Sequence, residues 1–71
     1  MTGEQLTKHR AGLGLTQEGM VVLLGCSLIS YKRYETDARP ISAYIAHSVL
    51  AIVILAKHGL GTDFTKALKK A

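Results

Sequence analysis

The sequence predicts an all-α domain of four to five short helices, and three kinds of observation lead there. Apolar residues recur three and four positions apart in successive stretches, as one face of a helix requires. Residues suited to accept at a helix N-terminus stand ahead of these stretches at Thr16, Ser27, Ser42 and Thr62. Glycines stand near their ends at Gly14, Gly25 and Gly59, where the chain must turn out of a helix.

The first helix is expected over residues 3 to 13, with Leu6, His9, Arg10 and Leu13 at helical spacing. Gly12 and Gly14 weaken its end, since a glycine inside a helix costs about 1 kcal/mol against alanine. His9 reads as a packing residue at the core edge. Thr16 caps a second helix from Gln17 to about Leu24, carried by Met20, Val21 and Leu24. Gly25 stops it, and Ser27 caps a third helix from Leu28 to about Glu35. Tyr31 and Tyr34 share one face of that helix, Ser30 and Arg33 another. Two helices within residues 16–35, joined by three residues, have the spacing of a helix-turn-helix.

Residues 36 to 41 read as a loop, because Asp37 favours turns and Pro40 excludes Arg39 from helical geometry. Ser42 opens a fourth helix, 42–58, whose Tyr44, Ile45, Val49, Leu50, Ile52, Val53, Ile54 and Leu55 cover more than one face. A helix apolar nearly all round must bury most of itself. A helix-turn-helix covers one side only, which leaves Leu50, Ile54 and neighbours for a second subunit; the alternative is a core helix in a monomer. In the C-terminal segment 59–71, Thr62 caps a last short helix with Phe64 and Leu68 four apart and Lys66, Lys69 and Lys70 as a basic end.

The 71 residues make one domain near the lower size limit for a self-sufficient core, so oligomerisation would help it. A net charge of +4 and a pI of about 9.5 favour a polyanionic partner. The single cysteine, Cys26, cannot form an internal disulfide and reads as a buried thiol; no spacing of cysteine and histidine suggests zinc. The start, MTGEQLTKHR, has no apolar stretch of a signal peptide, and the apolar run from Ile41 to Ala56 is broken by Ser42, His47 and Ser48. It falls short of the roughly 20 residues of a membrane span. A cytoplasmic protein is expected. His9, His47 and His58 sit on different segments, and Glu4 and Asp63 have no evident partner, so neither catalysis, metal, cofactor nor small-molecule ligand is expected.

The stretch LTQEGMVVLLGCSLISYKRYE, with Gln17, Gly25, Ser27, Tyr34 and Glu35 and then Arg39-Pro40-Ile41, resembles the lambda-repressor-like helix-turn-helix family of phage repressors, Cro proteins and XRE-type regulators. The resemblance covers residues 6 to about 45 and rests on the joint spacing of Thr-Gln, Gly-x-Ser and Tyr-Glu. It implies a compact lambda-repressor-like DNA-binding domain over residues 1–71, whose third helix enters the major groove. Base contacts would come from Ser27, Leu28, Ile29, Ser30, Lys32 and Arg33. Arg33 suits guanine, Lys32 a guanine or a phosphate, and Leu28 and Ile29 thymine methyls. Phosphate contacts would come from Gln17, and more weakly from Thr16, Thr36 and Arg39. Arg10 and Glu35 would form a structural pair.

The implied partner is double-stranded DNA, bound as a homodimer on a palindromic operator, with Leu50 and Ile54 at the dimer interface. The implied role is a Cro-like transcriptional repressor in a bacterial or phage-infected cell. Three features depart from the family: His9 stands where leucine is common, Val21 where a small residue lets two helices approach, and Leu28 and Ile29 where polar residues are frequent. Val22, Leu28 and Ile29 equally suit a protein partner. The competing expectation is therefore an interaction module, an antirepressor or adaptor on the same fold.

Overall fold

Helix α1 (Gly3–Gly12) is followed by α2 (Gln17–Leu24), α3 (Leu28–Glu35) and α4 (Ala43–Lys57) in a computed structural model that describes residues 1–59. No strand occurs among the described residues. The helix expected from Thr62, with Phe64 and Leu68, lies outside them.

Each helix starts on a side-chain oxygen. Thr2 accepts from the Gln5 N–H at 3.1 Å while the Gln5 side chain accepts from the Thr2 N–H at 2.9 Å, a reciprocal box the sequence reading did not single out. Thr16, Ser27 and Ser42 accept from the N–H groups of Gly19, Ser30 and Ile45 at 3.0, 3.1 and 3.2 Å. Each cap satisfies a donor that the helix cannot, and removing one costs about 1 kcal/mol. Gly25 closes α2 at φ 68°, a left-handed conformation that lets α3 begin three residues later. Helix α1 stops at Gly12 rather than Leu13; Leu13 is its C-cap, and Gly14 at φ 70° turns the chain toward α2.

Leu6 of α1, Met20 and Leu24 of α2, Tyr31 of α3, and Ile45, Val49 and Ile52 of α4 form the core. Every helix contributes, and burying each aliphatic side chain favours folding by about 1.5–3 kcal/mol. Helices α1 and α2 both pack against α3, and α4 lies across α1 and α2. Val21, Leu23 and Tyr34 pack against this core while half-buried. Cys26 is half-buried too, less deeply than its sequence context predicts, and that burial pushes its thiol pKa up. His9 is half-buried, as expected for the core edge. No described helix is long and apolar enough to cross a membrane.

Candidate nucleic-acid interface

The inward side of α3 is held by polar groups from both preceding helices. Arg10 of α1 grips Glu35 with two bonds, Nε to Oε2 at 2.7 Å and Nη2 to Oε1 at 3.2 Å. Its remaining nitrogen, Nη1, donates to the Leu15 carbonyl in the α1–α2 turn at 3.0 Å. Gln17 at the start of α2 donates from Nε2 to Glu35 Oε1 at 3.1 Å. One carboxylate thus joins three helices. The Glu35 side chain is 7 % exposed and that of Arg10 21 %, so the pair is shielded from the solvent screening that makes surface ion pairs weak.

Burial alone would raise the Glu35 pKa. The hydrogen bonds from Arg10 and Gln17 and the charge of Arg10 outweigh it and hold the carboxyl below its ordinary value. The hydrogen bond to Glu35 and its charge in turn raise the pKa of the Arg10 guanidinium. The fully buried Tyr31 hydroxyl lies beside this group without reaching hydrogen-bond geometry. Burial, reinforced by the neighbouring carboxylate, lifts it far above the usual tyrosine range.

A second tie fixes the same, C-terminal end of α3. Gly3 is buried against the end of that helix; a Cβ there would fall on the Glu35 carbonyl oxygen and 2.7 Å from that of Tyr34. The Gly3 N–H donates to Asp37 Oδ1 at 2.8 Å, placing a carboxylate at the N-terminus of α1, where the helix dipole favours it. Asp37 reaches this position at φ 60°, a region that aspartate enters more readily than most residues.

With its inner side so fixed, α3 turns Ile29, Lys32 and Arg33 outward as exposed residues, with Leu28 half-buried at the margin. Positions 28, 29, 32 and 33 share one face of a helix. Among the described residues no ion pair engages Lys32, Arg33 or Arg39. The chain after α3 folds back along its flank: the Arg39 N–H donates to the Arg33 carbonyl at 3.2 Å, and Arg39 Nη1 to Ser30 Oγ at 3.1 Å. Three cations therefore lie on one side of α3.

The structure separates the expected site residues by task. Ser27 and Thr16 are occupied as caps, and Thr36 Oγ1 donates to the Lys32 and Arg33 carbonyls at 3.2 and 3.3 Å. Ser30 Oγ accepts from Arg39. Gln17 is turned inward to Glu35 through one of its two amide N–H donors; the second has no acceptor among the described residues. Thr16, Thr36 and Arg39 are exposed, Thr36 as the C-cap of α3 and Arg39 against its Ser30. Leu50 and Ile54 lie on α4, 43 % and 57 % exposed. The sequence reading missed Gly3 and Asp37, whose contact spans 34 positions and leaves no local pattern. Compared with known protein families, characterised proteins and solved structures, the chain matches none of them.

Proposed function

We propose that the chain is a sequence-specific DNA-binding regulator of the lambda-repressor-like helix-turn-helix type, acting as a Cro-like repressor in the cytoplasm of a bacterial or phage-infected cell. The observation that carries this reading is the contrast between the two sides of α3. The inner side is tied through Tyr31, Glu35 and Asp37; the outer side offers exposed Ile29, Lys32 and Arg33 beside Arg39. A major groove admits such a helix, Arg33 suits the O6 and N7 acceptors of guanine, and Ile29 suits a thymine methyl. In this reading Arg39, Thr16 and the second N–H of Gln17 would supply the phosphate contacts, whereas the Thr36 O–H is given to the Lys32 and Arg33 carbonyls. Rigid positioning matters because base readout requires the side chains to arrive in register.

A homodimer would set two such helices in successive grooves about 34 Å apart and select a palindrome. Selection of random duplex DNA on the purified protein tests the reading. The expected result is an enriched palindrome with the wild type and its loss with Arg33→Ala; no enrichment at low salt would overturn it.

The exposure of Val22 and Ile29, 65 % and 67 %, favours one second reading, a protein-interaction module on the same fold. Its mark would be a protein partner lost on Ile29→Asp together with an absence of salt-dependent DNA affinity.

A further inference from the structure

We infer that Ile29 makes α3 a reader of the pyrimidine C5-methyl group: at its position in the site thymine and 5-methylcytosine are accepted alike, and cytosine is disfavoured until it is methylated. The inference rests on the proposed function and names the chemical group that the apolar part of the DNA-reading face takes.

The first turn of α3 has little polar chemistry to offer a base. Ser27 Oγ accepts from the Ser30 N–H at 3.1 Å, and Ser30 Oγ accepts from Arg39 Nη1 at 3.1 Å. Leu28 is half-buried, and Ile29 stands 67 % exposed. The surroundings of Ile29 are cationic: Lys32 and Arg33 share its helix face, and Arg39 is bound to the adjoining Ser30. The carboxylates nearest in sequence are turned elsewhere, Glu35 to Arg10 and Gln17, and Asp37 to the Gly3 N–H. An apolar group framed by cations fits a polyanion that carries apolar groups at fixed places between its charges. The major groove is such a surface, with C5-methyl groups between two strands of phosphates.

Hydrogen-bonding capacity decides what is read there. Thymine presents an O4 acceptor beside its methyl, and 5-methylcytosine presents an N4 donor beside the same methyl. An aliphatic side chain bonds to neither polar group and so does not tell the two bases apart. What it gains is the apolar area of the methyl, about fourfold in affinity for each methyl covered and about 15-fold over both half-sites of a palindrome. Unmodified cytosine offers Ile29 no such area. Arg33 stands one turn further along α3, about 6 Å away at 1.5 Å per residue, so its guanine belongs to a different base pair. Methylation of cytosine at the Ile29 position therefore strengthens the site without altering what Arg33 reads.

The test uses the duplex that selection on the wild type enriches, with binding followed by fluorescence anisotropy at fixed salt. Each thymine of a half-site is replaced in turn by deoxyuridine, which keeps O4 and lacks only the methyl. One position is expected to lose about fourfold. There 5-methylcytosine paired with guanine should bind within about twofold of thymine, and cytosine should fall to the deoxyuridine level. In Ile29→Ala, with its helix content checked by circular dichroism, the methyl effect should disappear; if that variant unfolds, the wild-type series of four bases still decides. The inference is overturned by a duplex with no deoxyuridine-sensitive thymine, by 5-methylcytosine binding as weakly as cytosine, or by a methyl effect that survives in folded Ile29→Ala. A duplex enriched by the wild type and lost with Arg33→Ala, yet indifferent to the methyl, overturns this inference and leaves the proposed function standing. A wild type that enriches no duplex at low salt sinks both.

Discussion

Helices α3 and α4 are attached to the same pair of helices by different forces. Helix α3 and the turn after it are tied by directional polar bonds: Arg10 and Gln17 to Glu35, and the Gly3 N–H to Asp37. The side-chain bonds of α4, its Ser42 cap and Ser48 Oγ to the Tyr44 carbonyl, stay local among the described residues; Ile45, Val49 and Ile52 hold it by burial. Apolar area is non-directional, whereas a two-pronged arginine–carboxylate pair fixes distance and angle. A helix that must deliver side chains to base edges needs the second kind of attachment. A helix that fills a core needs only the first.

Substitutions sharpen this contrast, beginning with the largest expected loss. Gly3→Ala drives a Cβ into the backbone at the end of α3 and is expected to destabilise by about 3 kcal/mol, read by urea unfolding. The mechanism is steric, so larger side chains there should be no better tolerated. Glu35→Ala should cost about 2 kcal/mol, because it strands a largely shielded guanidinium. In a double-mutant cycle with Arg10→Ala the coupling should be about 1–2 kcal/mol; strictly additive losses would mean that the three-helix junction is not energetically real. Ile54→Ala, on the outer face of α4, should cost the monomer no more than about 0.5 kcal/mol.

Acid titration divides the two helices without changing a core residue. The Glu35 carboxyl is held below its ordinary value in the folded chain. Its contribution is therefore complete above the unfolded value of about 4.3 and is lost as pH falls through the lower folded value. Stability should decline below about pH 4.5, and Glu35→Gln should flatten part of that decline when unfolding is followed from about pH 6 to 3. No carboxylate lies on α4, so its own contacts should pass through the same range unchanged.

The sequence showed the parts of this molecule that local chemistry decides. Thr16, Ser27 and Ser42 mark helix starts because a cap acts on N–H groups two or three residues away, and Gly25 marks a stop because its conformation excludes most other residues. The join of α1 to α3 was legible only in part. Arg10 and Glu35 suggested a pair through the family resemblance. The burial of Gly3 and the left-handed Asp37 depend on residues 34 positions apart meeting, which no spacing encodes. Gln17 shows a further limit: its place in the sequence suggested a phosphate contact, yet one of its donors is given to Glu35. The outward residues of α3 were legible from helical periodicity; what they touch is a matter for binding experiments.

The most direct test of the central claim is an NMR titration of the ¹⁵N-labelled chain with a short duplex at low salt, where even non-specific binding uses the phosphate-facing surface. The amide shifts are expected to concentrate at Thr16, Gln17, Ser27 to Arg33, Thr36 and Arg39, and to weaken steeply as salt rises. Shifts confined to Val22, Tyr44 and the outer face of α4, or none at all, would contradict the assignment of α3 as the DNA-reading helix.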